Sequence, residues 1–118
     1  MNIISTHEEV IKKSRFIAYY CEVKTKDEVL EAWDYLKDMH KKARHIPYAY
    51  ILTNTAGKSD DKEPSGTSAL PIYNALERSK VPDRAIFVVR YFGGIKLGAG
   101  GLTRAYAKVS NEVIKNSC

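Results

Sequence analysis

The stretch AIFVVRYFGGIKLGAGGLTRAYA, residues 85–107, decides the fold because its character changes twice along its length. Ala85–Phe92 is a nearly unbroken apolar and aromatic run, which predicts a buried central strand. Gly93–Gly101 holds five glycines in nine positions, and from Leu102 onward the apolar residues recur at helical spacing. The stretch therefore predicts a strand, a glycine loop and a helix, in that order.

The glycine loop has the chemistry of an anion site. A helix that begins near Gly101 directs free N–H groups and the positive end of its dipole at the loop. Arg90, Lys96 and Arg104 add three positive charges nearby. The loop matches no standard phosphate motif, since Lys96 precedes a leucine and Thr103 stands where a dinucleotide fingerprint has its third glycine. Two interpretations stay open: an anion or nucleic-acid backbone site, and a tight turn that packs against a neighbour.

Length and composition are those of one globular domain. The chain has 118 residues, of which 44% are hydrophobic and 28% charged. It has no apolar run of about 20 residues and no secretory apolar segment, so we expect a cytoplasmic protein without membrane association. The net charge of +5 favours an anionic partner. Cys21 and Cys118 lie far apart and are expected to be free thiols.

The rest of the chain alternates between strand and helix patterns. The predicted order is a strand within 10–23, a helix from Asp27 to about Ala43, a strand over 47–53, a polar loop over 54–66, a helix capped by Ser68, the central strand, and a helix to about Lys115. A short strand over 3–10 is also compatible with the pattern. This order predicts an α+β domain with helices packed on one sheet.

Three carboxylates fall in the long polar loop: Asp60, Asp61 and Glu63. They are candidate ligands for Mg²⁺ or Ca²⁺, but their spacing fits no EF-hand. The alternative is a solvated acidic loop that pairs with Arg90 or Arg104, and this alternative is favoured. No spacing joins a nucleophile, a base and an orienting group. We therefore predict no metal, no other cofactor and no catalytic residue.

Two segments resemble the signature of the IMPACT/YigZ family: DDKEPSGTSALPI (60–72) and VVRYFGGIKLGAGGLTRAY (88–106). Two earlier blocks, KKSRFIAYYCEV (12–23) and ARHIPYAYIL (43–52), resemble the same family's blocks in the same order. Lys62 stands where family members usually have glycine. The resemblance covers nearly the whole chain, and we interpret residues 1–118 as a single IMPACT/YigZ-like N-terminal domain.

The resemblance implies a fold similar to the second domain of ribosomal protein S5. That fold is a two-layer α/β sandwich, with a mixed sheet of about four strands and helices on one face. The resemblance also implies a link to regulation of translation or to nucleic acid.

We therefore expect a non-enzymatic domain that binds RNA or another phosphate-bearing ligand in a basic groove between two helix starts. A translation-related protein partner is also expected. The alternatives are a metal-assisted enzyme acting on a small phosphorylated substrate, and a pure protein-interaction module. The predicted groove residues are Lys62, Ser65, Gly66, Thr67, Arg90, Tyr91, Gly93, Gly94, Lys96, Gly98, Gly100, Gly101 and Arg104.

Overall fold

The fold is described from a computed structural model that covers residues 1–118. The elements in chain order are β1 (Asn2–Ile11), β2 (Ser14–Glu22), α1 (Lys26–Met39), β3 (Tyr48–Ile51), β4 (Ala56–Ser59), α2 (Ala69–Ser79), β5 (Arg84–Tyr91) and α3 (Gly98–Lys115). None of the three helices is long and apolar enough to cross a membrane.

β5 is the central strand of a single sheet with the order β1-β2-β5-β3-β4. The α+β class and the central strand are thus confirmed. Every neighbouring pair is antiparallel, which corrects the expectation of a mixed sheet, and the sheet has five strands where about four were expected. β4 was not predicted because its sequence, AGKS, lacks the alternation of apolar and polar residues that marks a half-buried strand. β1 and β2 are joined by Lys12 and Lys13, whose φ values of 47° and 67° form a tight hairpin turn.

Helices cover both faces of the sheet, which corrects the predicted two-layer arrangement with helices on one face. α1 packs on the face that contains Ala85, Phe87 and Val89 of β5. α2 and α3 pack on the opposite face, which contains Ile86 and Val88. β5 is apolar on both sides because it lies between two helix layers.

Two helices begin earlier than the sequence predicts. α1 follows Thr25, whose side-chain oxygen accepts a hydrogen bond from the Glu28 amide at 3.1 Å, so the helix begins at Lys26 and not at Asp27. α3 begins at Gly98 and not near Gly101. Three of the five glycines in the predicted loop therefore belong to the start of α3.

Both cysteines are free, as predicted. Cys118 is exposed, whereas Cys21 is buried on β2. Burial raises the pKa of the Cys21 thiol to about 12. Cys21 therefore packs as a small apolar residue and is not a reactive thiolate at neutral pH.

Candidate anion-binding site

One end of the sheet gathers two helix starts and a hairpin turn. β4 and β5 both pair antiparallel with β3, so they run in the same direction. α2 follows β4 and α3 follows β5, so both helices begin at the same end. The β1–β2 turn lies there too, because Arg15 at the start of β2 pairs with Tyr91 at the end of β5. The segments 62–68 and 93–104 are therefore brought to one end of the sheet, as the predicted groove requires.

The glycine loop is in contact with the β1–β2 turn. A Cβ atom on Gly93 would lie 1.8 Å from the backbone oxygen of Lys13, so no larger residue fits without moving the turn. Gly94 has a φ of 94°, a left-handed value that favours glycine. Gly93 and Gly94 therefore have a structural explanation, as the tight-turn interpretation predicts.

The start of α3 is open to solvent. No side chain caps it, and its first turn contains no acidic residue. Gly98 and Gly100 are exposed, and neither has a side chain that covers the backbone. The free N–H groups of a first turn and the positive end of the helix dipole favour an anion. This helix start can therefore accept an anionic ligand.

Three unpaired cations lie on the segments around this helix start. Lys96 and Arg104 are exposed, and Lys12 comes from the β1–β2 turn. Lys12, Arg104 and the backbone of Gly101 line a groove of about 210 Å³. None of the three cations forms an ion pair, whereas Lys108 on the same groove is paired with a glutamate at 2.5 Å. We call Lys12, Lys96, Gly98, Gly100, Gly101 and Arg104 the α3 site.

Arg90 lies in the interior, which corrects its predicted place in the groove. Its side chain is 7% exposed, and its Nη1 donates to both carboxylate oxygens of Glu63, at 3.0 and 2.9 Å. The hydroxyl of Tyr106 donates to the same carboxylate, and His45 Nε2 lies 3.5 Å from it. Burial and the charge of Glu63 raise the pKa of Tyr106 well above its ordinary range. Arg90 therefore neutralises a buried carboxylate, as the pairing interpretation of the acidic loop predicts; we call these four residues the Glu63 cluster.

The start of α2 is occupied by the carboxylate of Asp60. This carboxylate accepts hydrogen bonds from the backbone amides of Gly66, Ser68 and Ala69, at 3.1, 3.3 and 2.9 Å. The Ser68 hydroxyl also donates to it at 2.6 Å, so the serine predicted to cap α2 does not cap it directly. The first turn of α2 is therefore filled by the protein's own anion.

The remaining predicted residues of the 62–67 segment differ in solvent exposure. Lys62 and Ser65 are exposed, and Lys62 forms no ion pair. Thr67 is buried, and its hydroxyl donates to the backbone oxygen of Pro64 at 2.6 Å. Of this segment, only Lys62 carries a positive charge, at the end of the sheet where α3 also begins.

The aromatic pair after Arg90 is largely engaged by the protein itself. The hydroxyl of Tyr91 lies 2.5 Å from His40 Nδ1, and the guanidinium of Arg15 lies 5.3 Å from the centre of its ring. Phe92 has the guanidinium groups of Arg44 and Arg90 at 4.9 and 5.7 Å from its ring centre. Neither ring is an open platform for a nucleic-acid base.

The three carboxylates of the long loop do not converge. Asp60 caps α2, Glu63 pairs with Arg90, and Asp61 accepts a hydrogen bond from the Ile46 amide at 2.7 Å. No group of three or more histidine, cysteine, aspartate or glutamate residues is arranged to hold a metal ion. Each carboxylate thus has a structural partner of its own.

The sequence did not show that three other residues belong to this region. Tyr106 is part of the apolar stripe of α3, His45 is an isolated histidine before a strand, and Lys12 belongs to a basic cluster far from the glycine loop in sequence. The only sequence feature that pointed to them is that all three lie inside the blocks that resemble the family. Only the hairpin pairing and the packing of α3 place them beside Gly101 or Glu63.

Replacing Asp60 with alanine is expected to lower the free energy of unfolding by about 1–2 kcal/mol at pH 7, because four donors at the start of α2 lose their acceptor. Burial alone would raise the pKa of Asp60, but the hydrogen bonds from Ser68, Ala69 and Gly66 outweigh it and lower the pKa below 3.8. The carboxylate therefore contributes fully above its unfolded pKa, and the contribution is lost as pH falls through the lower folded pKa. Urea unfolding of both proteins from pH 7 to pH 2.5 tests this. A difference that stays constant or widens over the acidic range would contradict it.

The fold and the site together define a class: an α+β domain with one capped and one open helix start at the same end of its sheet. The family model described as the Impact N-terminal domain matches residues 12–114. The chain is 44% identical over 109 residues to IMPACT family member YvyE of Bacillus subtilis (strain 168), covering 90% of the chain and 50% of that relative. The chain therefore belongs to the IMPACT family, which confirms the resemblance.

Two solved structures share the fold. A crystal structure of a hypothetical protein superposes with a TM-score of 0.91 at 35% identity, over 94% of this chain and 56% of that one. Yih1, a two-domain translational regulator, superposes with a TM-score of 0.54 at 18% identity, over 98% of this chain and 46% of Yih1. The chain thus spans about half the length of the relatives it matches.

Proposed function

We propose that the α3 site binds the phosphate backbone of RNA and that the domain acts in the regulation of translation. The observation that carries the proposal is the contrast between two helix starts at the same end of the sheet. The start of α2 holds the Asp60 carboxylate, whereas the start of α3 has no cap and no acidic residue. Three unpaired cations lie around the open start, whereas the segment that leads to α2 has only Lys62.

The N-terminus of a helix has a positive electrostatic potential. Backbone N–H groups and the dipole at an N-terminus bind phosphate oxygens without any special side chain. Lys12, Lys96 and Arg104 add positive charge, and none of them forms an ion pair within the chain. The exposed glycines allow a phosphate to approach the backbone closely, since they have no Cβ atom. These features select for a phosphate backbone and carry no information about base sequence.

A link to translation is proposed from the family and from Yih1. Yih1 is a translational regulator, and this chain shares its fold at low identity. The proposal therefore places the domain in the cytoplasm, together with a translation-related protein partner.

Reversing two charges at the α3 site is expected to abolish RNA binding. In the Lys96→Glu/Arg104→Glu variant, two phosphate contacts are lost and two repulsive charges are added. We expect the Kd for a labelled single-stranded RNA to rise at least tenfold. The slope of log affinity against log salt is expected to fall by about 1.4, or about 0.7 for each lost contact. Fluorescence anisotropy at several salt concentrations measures both quantities, with a duplex DNA run in parallel.

The matched control is Lys26→Glu/Lys80→Glu, which makes the same change in net charge at exposed positions. Lys26 begins α1, and Lys80 follows α2, so both lie at the opposite end of the sheet. The control variant is expected to bind within about threefold of wild type, since distant charges are screened at ordinary salt. An equal loss of RNA affinity in both variants would mean that RNA binding depends only on the net charge of the protein. Undiminished binding in the first variant would remove the α3 site from the proposal.

A further inference from the structure

The two faces of the sheet are covered unequally. Two helices cover one face, and only α1 covers the other. A helix is about 10 Å across and strands lie about 4.8 Å apart, so one helix covers about two strands. On the α1 side the edge strand β1 is left uncovered. Its residues on this side are all exposed, namely Ile3, Thr6, Glu8 and Val10.

A groove lies between the start of β1 and α1. Its volume of about 550 Å³ exceeds that of the groove at the α3 site. Cys21, Val23 and Ala32 are buried residues that line it. Met1 and Tyr35 line it as well, and they are 47% and 53% exposed. Five of its ten lining residues are hydrophobic, and exposed large apolar side chains grouped in this way mark an interaction surface.

The charge of this groove is opposite to that of the chain. Its lining side chains include three glutamates, Glu22, Glu28 and Glu31, and one lysine, Lys24. With the N-terminal ammonium of Met1, which also lines the groove, they sum to one net negative charge, three minus two, in a chain of net charge +5. Glu22 is paired with Arg84 at 3.5 Å, and Glu28 accepts a hydrogen bond from the backbone amide of Lys24 at 2.6 Å. Neither Glu28 nor Glu31 forms an ion pair. Glu28, Glu31 and Tyr35 are spaced so that they lie along one side of α1.

We propose that this groove, called the α1 groove, docks an amphipathic helix of a partner protein with lysine or arginine along its flank. The helix lies beside α1 and completes the half-covered layer. Its apolar face packs on Ile3, Met1 and Tyr35, and its basic flank meets Glu28 and Glu31. This is helix-in-groove recognition, in which apolar anchors give affinity and complementary charge selects the partner. The α1 groove is distinct from the α3 site, since it lies at the start of β1 and α1, where β5 also begins.

Two synthetic amphipathic peptides test the proposal. Both have the same leucine face, and one has lysine where the other has glutamate on the polar face. The net charge of the protein alone favours the Leu/Glu peptide, whereas the α1 groove favours the Leu/Lys peptide. We expect the Leu/Lys peptide to bind at least tenfold more tightly in a fluorescence anisotropy titration. We expect the backbone amide resonances of Ala32 and Tyr35 to shift on binding.

The variant Glu28→Lys/Glu31→Lys is expected to weaken binding of the Leu/Lys peptide at least tenfold. The matched control, Asp34→Lys/Glu77→Lys, changes net charge equally at exposed positions outside the groove and is expected to bind within about threefold of wild type. Circular dichroism and thermal unfolding of each variant separate a lost site from a lost fold. Tighter binding of the Leu/Glu peptide, absence of Leu/Lys binding, or equal loss in both variants would overturn the proposal.

Discussion

Replacing Glu63 with alanine is expected to lower the free energy of unfolding by about 3–5 kcal/mol, because it leaves the Arg90 guanidinium buried without its counter-charge. The side chains of Glu63 and Arg90 are 2% and 7% exposed, so water cannot replace the missing carboxylate. Tyr106 also loses its acceptor in the protein interior. Urea unfolding at neutral pH measures the change in stability.

The control for this prediction is an ion pair of the same kind at the surface. Asp34 lies 3.3 Å from Lys37, with side chains 71% and 44% exposed. Replacing Asp34 with alanine is expected to change stability by no more than about 0.5 kcal/mol. The double variant Glu63→Ala/Arg90→Ala should lose less than the sum of the two single variants, since each partner alone is costly. A loss below about 1.5 kcal/mol for Glu63→Ala would show that the cluster does not hold the loop to β5 and α3.

Replacing Gly93 with alanine is expected to be the second most damaging change. The new Cβ atom would lie 1.8 Å from the Lys13 oxygen, so the glycine loop and the β1–β2 turn must move apart. Backbone atoms relax less easily than flexible side chains, and we expect a loss of at least about 2 kcal/mol in thermal or urea unfolding. RNA binding should also weaken, because Lys12 moves away from the α3 site.

Gly100→Ala is the matched control, at a helical glycine seven residues along the chain. Its added Cβ atom would meet only Arg104, whose flexible end lies 3.3 Å away. Alanine is favoured over glycine inside a helix, so a change between zero and a gain of about 1 kcal/mol is expected. Equal stability of the two variants would mean that the close contact of Gly93 with the hairpin turn does not constrain the fold.

The sequence allowed prediction of elements with a strong local pattern. β5 was predicted because Ala85–Val89 is apolar at every position, and α3 because its apolar residues keep helical spacing. The same run already indicated that β5 is buried on both sides, but the pattern does not say which element covers each side. The placement of α1 opposite α2 and α3 depends on packing across the whole sheet. The family resemblance led us to expect helices on one face of the sheet, whereas the structure has helices on both faces.

Short elements and long-range partners were less predictable. β4 has four residues in a polar segment, and the β1–β2 turn uses two lysines where glycine or asparagine would signal a hairpin. Asp60 caps a helix that begins nine residues later, which no local capping pattern contains. Arg90 was predicted to bind an anion because it is a cation close to the glycines in sequence. Its partner Glu63 is 27 residues away in sequence, and only the folded chain places the two side chains in contact.

The predicted site contains residues that are paired inside the protein and residues that remain exposed. Arg90 and the start of α2 are satisfied inside the protein, by Glu63 and Asp60. Lys96 and Arg104 remain exposed beside the open start of α3. The internal pairs join the long loop to β5 and α3, and the free cations lie at the same end of the sheet.

The most direct test of the α3 site is an NMR titration that follows the backbone amides of all seven glycines as single-stranded RNA is added. We expect the largest shifts at Gly98, Gly100 and Gly101. We expect small shifts at Gly66, whose amide is bonded to Asp60, and at Gly57 in β4. Shifts confined to Gly57 and Gly66, or no shift at any glycine at saturating RNA, would contradict the claim that the open start of α3 binds a phosphate backbone.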